Sequence, residues 1–218
     1  MADAVSSPAR RKVTRDALSI AIASGAYSLS FGAIATTSGL SLLMFTGASQ
    51  FALVGIIGSG GSVWAGAATA ALLGTRNALY AVRLSSLLKV SGLRRLGAAQ
   101  LVIDETTAMA IARDDENVGR FAFWATGLLL FAFWNLGTLI GALATTALPD
   151  PKVLGLDAAP PAAYLALLAP RLRAREPLAI ALAAGLIALI CIPFVPAGIP
   201  LLIVAGLVAL YGLFGKSA

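Results

Sequence analysis

Between Ala17 and Thr75 the chain has no Asp, Glu, Lys or Arg, a run of 59 residues without a charged side chain. A soluble domain cannot use such a stretch, because its surface needs polar groups. A bilayer can: about 20 apolar residues cross the hydrocarbon once, so the run is long enough for two crossings or more. Charge is scarce everywhere, at 12% of residues against about 25% in soluble domains. Histidine is absent, which excludes Ser-His dyads and His-ligated metals. The one cysteine, Cys191, lies in an apolar run and cannot form an internal disulfide. It also rules out a structural zinc site, and no cofactor is expected. No G-x-x-x-x-G-K-[ST] segment occurs, so direct ATP use by this chain is excluded.

What is present fits a polytopic membrane protein: 59% of residues are hydrophobic, and 218 residues leave no room for a soluble catalytic module. The net charge of +6 does not point to nucleic acid, because the basic residues sit at the ends of apolar segments. Residues 1–15 form a basic N-terminus (Arg10, Arg11, Lys12, Arg15) that resembles the start of a signal peptide. The apolar stretch that follows is too long and lacks a clear cleavage site, so it reads as a retained first helix. Residues 16–218 read as a single transmembrane domain.

The expected fold is all-α, with apolar segments at roughly 17–37, 42–58, 62–82, 97–112, 121–147, 158–170, 178–192 and 201–214. If 42–58 and 97–112 enter the membrane and return, fifteen of the sixteen Lys and Arg residues face the cytoplasm and only Lys152 lies outside. Letting either segment cross fully moves several arginines outward. The positive-inside rule thus favours six full spans plus two half-spans or broken helices, with a cytoplasmic N-terminus. Proline pairs and clusters at Pro149–Pro151, Pro160–Pro161 and Pro193–Pro200 punctuate helix ends.

Three polar breaks could carry function. In Thr46-Gly47-Ala48-Ser49-Gln50 a glycine flanked by hydroxyls can open a helix at mid-membrane. The free N–H groups of the next half-helix then suit a carboxylate. The plainer account is close helix packing through small residues, although the Gln50 amide, among Phe45, Phe51 and Leu53, needs a partner. Asp104 and Glu105 lie inside the segment 97–112, and an acid at that depth is a functional candidate. Asp104, on the side of Thr107 and Ile111, is the candidate for a substrate ammonium or a proton, whereas Glu105 is better placed to pair with an arginine. The alternative is an amphipathic surface helix whose acids pair with Arg94 or Arg95. Arg76 and Asn77, with Tyr80 and Arg83, fall at the end of the segment 62–82, where topology anchoring explains the arginines and Asn77 needs a partner. Gly137 and Gly141 form a packing face, Trp124 and Trp134 are interfacial or packing aromatics, and Asn135 is the polar group of that span worth testing.

The same stretches resemble the AzlC family of branched-chain amino acid permeases. The resemblance is carried by Phe45-Thr46-Gly47-Ala48-Ser49-Gln50-Phe51-Ala52, Thr75-Arg76-Asn77-Ala78-Leu79-Tyr80, Asp104-Glu105-Thr106, Leu136-Gly137-Thr138-Leu139-Ile140-Gly141, and Leu148-Pro149-Asp150-Pro151 with the segment that follows. It implies the large subunit of a two-component exporter for leucine, isoleucine and valine, with methionine as a further candidate. The implied setting is the bacterial cytoplasmic membrane, and the implied partner a small AzlD-type membrane subunit. Family members typically carry His where this chain has Asn77, and this departure speaks against a protonation role there. The transporter reading competes with a substrate-binding membrane subunit of an importer powered by separate ATPases. An intramembrane enzyme is not expected, because Asp104 has no second acid on another apolar segment.

Overall fold

The computed structural model describes residues 5–37, 45–147, 165, 169 and 171–214, and among them the chain is helical with no strand. Eight α-helices follow in order: α1 (Ser7–Thr37), α2 (Ala48–Gly58), α3 (Val63–Leu88), α4 (Leu93–Gln100), α5 (Asp104–Ile111), α6 (Glu116–Ala147), α7 (Arg175–Cys191) and α8 (Ile199–Phe214). A short 3-10 turn, Arg171–Arg173, precedes α7. The segment 158–170, Lys152 and the prolines at 149–151 and 160–161 fall largely or wholly outside the described residues.

The centre of the bundle is the pair α1 and α6, which run parallel. Arg10 lies 5.1 Å above the Phe121 ring, while Gly25 meets Phe133 and Gly32 meets Thr138 further along. The helices touch backbone to backbone: a Cβ on Gly141 would run into the Leu29 carbonyl, and one on Gly137 into Ser28 and Gly25. Small residues allow this approach, and close packing is the main attraction available between helices in lipid. The packing role expected of Gly137 and Gly141 is what the structure shows.

α3 runs opposite to α6. Its C-terminal cap, Lys89, pairs with Glu116 at the start of α6 (3.2 Å), and Arg120 Nε donates to the Leu87 carbonyl (2.6 Å). The helix reaches Leu88 rather than stopping near 82, because Leu84 and Leu88 are buried and hold the last two turns against the core. Arg76 therefore lies in the middle of α3 and not at its end. Ser62 caps the start of α3 by accepting from Trp64 N–H (3.2 Å).

The chain between Lys89 and Glu116 leaves one end of the bundle and comes back to it. α4 carries it inward until Leu101 packs against Gly127 of α6. A break at Leu101–Ile103 reverses it, and α5 returns it to the end where Arg113 pairs with Asp16 of α1 (3.2 Å). Gly127 is eleven residues into α6, so the tip lies about 16 Å along that helix from its start. The segment 97–112 is thus broken, as its sequence suggested. Thr106 fixes the break: its hydroxyl donates to the Leu101 carbonyl (2.6 Å) and accepts from the Ile103 amide (3.1 Å).

α2 runs from mid-bundle toward the opposite end, antiparallel to α3. Gly66 lies against Leu53 and Ile56, and the turn after α2 closes with Gly61 N–H on the Ile56 carbonyl (2.8 Å). α7 and α8 form an antiparallel hairpin at the side. Tyr211 bonds Glu176 (3.2 Å), and Gly198 touches Ile56 near the foot of α8. Arg173 and Arg175 consequently share an end with Arg10, Lys89 and Arg113. α7 has no buried residue, and Leu182, Leu186 and Leu189 all face outward.

Among the described residues one helix, over Glu116–Ala144, is long and apolar enough to cross a membrane by itself. Ser49–Gly58 and Ile199–Gly212 are apolar but shorter. α1 and α3, of 31 and 26 residues, carry charges within their length.

Candidate functional site

α2 and α5 are short helices that begin beside the middle of α3 and run out toward opposite ends of it. Their N-termini converge there with Arg76. The first, α2, opens at Ala48 after Gly47, whose φ of 73° and ψ of −133° suit only a residue without a Cβ. No side chain caps this terminus. A Cβ built on Gly47 would stand 3.4 Å from Arg76 Nη2, so the guanidinium lies over the start of the helix.

The residues before α2 are held by a small polar knot. Gln50 is 1% exposed and its Oε1 accepts from the Thr46 amide (2.9 Å). This is the partner its buried amide required. Ser49 Oγ lies 3.0 Å from the Thr46 carbonyl and 2.8 Å from Thr46 Oγ1. Asn77 Nδ2 donates to that same carbonyl (3.3 Å), tying α3 to the loop. Thr46, Gly47, Ala48, Ser49, Gln50 and Asn77 are therefore one cluster, assembled from two elements 31 positions apart.

Asp104 starts α5 and completes the site: its Oδ2 lies 2.6 Å from Arg76 Nη1, with side-chain exposures of 38% and 34%. The pair is accessible yet far from either end. Thirteen residues separate Arg76 from Lys89, about 20 Å along the helix. Asp104, and not Glu105, holds the arginine. Adjacent helical residues point about 100° apart, and the extended Ile103 (φ −138°, ψ 178°) aims the first residue of α5 at α3. Among the described residues Glu105 has no ion pair within 4.0 Å, and Arg94 and Arg95 pair with neither acid. Thr107, on the side of Asp104, is buried and donates to the Ile103 carbonyl (2.7 Å).

Asn135 bonds within α6, its amide donating to the Phe131 carbonyl one turn back (2.8 Å). Below the polar knot the sequence reading missed an aromatic floor. Phe51 packs edge-on against Trp134 (5.7 Å) and Phe31 (5.1 Å), Phe45 against Phe131 (5.3 Å), and Tyr27 against Trp134 (5.3 Å). Trp134 is 3% exposed, so it is a core residue and not an interfacial one. The recurrence of aromatics at 27, 31, 131 and 134 was the available signal, but their meeting depends on the parallel register of α1 and α6. A separate apolar hollow of about 400 Å³ lies between Ala52–Ile56 of α2 and the Ile192–Leu201 stretch, with no charged residue in its lining.

Two half-length helices meeting over an arginine and an acid midway along the bundle, beside a helix able to span a bilayer, define a helical membrane protein with an internal charged site. The chain belongs to the AzlC family: the family model described as AzlC protein matches residues 18–148, which is more than half of the chain and includes every site residue above. The family comprises membrane proteins related to branched-chain amino acid transport. Neither the curated proteins nor the solved structures contain a match to this chain.

Proposed function

We propose that this chain is the large subunit of a secondary transporter that exports branched-chain amino acids across the bacterial cytoplasmic membrane. The single observation that carries the reading is the convergence of the uncapped α2 terminus, Arg76 and Asp104 in the middle of the bundle. Unwound backbone and half-helices are tolerated at such depth where they line a substrate path. An amino acid carries a carboxylate, an ammonium and, in this class, a branched apolar side chain. The donors at Gly47–Ser49 and Arg76 suit the first, Asp104 the second, and the half-buried Phe51 beside the knot offers apolar surface for the third.

In this reading the bundle is polytopic, with the N-terminus and the end bearing Lys89, Arg113 and Arg175 on the cytoplasmic side. The outward leucines of α7 meet lipid or a small AzlD-type subunit. Export is driven by the proton gradient, and the chain performs no chemistry on its substrate. The test is leucine efflux from loaded cells expressing the chain with and without a small AzlD-type membrane protein. Efflux that needs both, and that a protonophore abolishes, supports the reading; efflux unchanged by either chain refutes it.

A further inference from the structure

The Arg76–Asp104 contact occupies the groups that a substrate would need. Its 2.6 Å length gives each charge its counter-charge from inside the protein. Two polar atoms beside it are buried and have no hydrogen-bond partner: Arg76 Nε, a donor, and Asn77 Oδ1, an acceptor. Buried polar atoms in native proteins are normally paired, so this neighbouring donor and acceptor are open to a bound group. The unpaired donor matches a carboxylate oxygen and the unpaired acceptor matches an ammonium hydrogen. Both atoms lie where Arg76 faces Gly47 and Asn77 is anchored on Thr46.

We infer that the Arg76–Asp104 ion pair is a charge latch that only a zwitterion opens, the α-carboxylate taking Arg76 and the α-ammonium taking Asp104. This deepens the transport reading above and rests on it. An uncharged solute offers neither group a counter-charge, whereas a zwitterion replaces both at once. A lone anion or a lone cation satisfies one side and strands the other. The latch therefore selects for the amino acid backbone, whatever the side chain, and it holds the empty site electrically closed. Arg76 serves better than lysine here, since its planar fork can release one edge to a carboxylate while keeping another contact. Asn77 cannot titrate, so the acceptor it presents to the ammonium is present at every pH.

The test is equilibrium binding of radiolabelled leucine to the full chain purified with its small AzlD-type subunit, with competitors that each lack one charge. On the wild-type chain, leucine methyl ester and N-acetylleucine should compete at least about tenfold more weakly than leucine, the cost of one lost charge-assisted contact. Asp104→Asn frees Arg76, so leucine should weaken and 4-methylpentanoate, which has only the carboxylate, should gain roughly tenfold or more. Arg76→Gln frees Asp104, so isoamylamine, which has only the ammonium, should gain instead. A pair that merely holds α3 to α5 predicts the reverse: the exchanged double variant Arg76→Asp with Asp104→Arg would bind leucine normally, and neither single variant would gain an analogue. Either result overturns the latch, as does N-acetylleucine matching leucine on the wild-type chain, which needs no variant. A wild-type chain that binds another zwitterionic amino acid but not leucine refutes the branched-chain reading alone, and the same derivatives of that amino acid then test the latch. Failure to bind any zwitterionic amino acid sinks both.

Discussion

Lys89 Nζ lies 3.2 Å from Glu116 Oε2, although the sequence between them contains two helices. The contact requires that residues 90–115 enter the bundle and leave it on the same side. Cysteines introduced at Lys89 and Arg173, in a Cys191→Ser background, should both resist an impermeant thiol reagent in intact cells and both react in inside-out vesicles. Modification of one from each side would refute the placement of Lys89 and Arg173 at a shared end.

Gly47 holds a positive φ that side chains with a Cβ adopt at a cost of about 1–3 kcal/mol. Gly47→Ala should therefore lower the thermal stability modestly and cut leucine efflux sharply, because the backbone that aims α2 at Arg76 must shift. Loss of efflux without loss of folded protein separates a site role from a packing role. A variant with wild-type efflux would remove the α2 terminus from the site.

Gln50 is a buried side chain whose Oε1 accepts from the Thr46 amide. Replacing it with leucine keeps the volume but leaves that N–H unpaired, a loss of about 1–3 kcal/mol. Thermal unfolding of Gln50→Leu should show it, and hydrogen exchange at the Thr46 amide should accelerate. Unchanged exchange would mean that the bond is not what holds the loop.

At Gly141 a methyl group would enter the space of the Leu29 carbonyl. Gly141→Ala should cost about 1–3 kcal/mol by forcing α1 and α6 apart. The expected readout is a lower melting temperature with the residual folded protein still binding leucine. Full stability in this variant would contradict the backbone contact between the two helices.

Glu105 gives a contrast to its neighbour. It has no ion pair among the described residues, whereas Asp104 holds Arg76. Glu105→Gln should retain efflux within about twofold, a change of less than 1 kcal/mol, measured beside Asp104→Asn in the same cells. Equal loss in both variants would assign the acidic function to the pair of carboxylates together.

Much of this arrangement was legible in the residues. The uncharged run from Ala17 to Thr75 requires lipid or burial, since unpaired charge is too costly at that depth. Gly47 among hydroxyls marked the opening of α2, and Asp104 within apolar residues marked the break near α5. Gly137 and Gly141 announced close packing. These are local features, set by backbone freedom, hydropathy and charge, and a sequence carries them directly. Tertiary structure alone decided the rest. Arg76 became an interior residue because Leu84 and Leu88 found a core to pack against and extended α3 past it. Asp104, not Glu105, took the arginine because the Thr106 hydroxyl and the extended Ile103 set the rotation of α5. Such choices depend on where neighbouring helices stand to within a few ångströms, and no spacing along one chain encodes that distance.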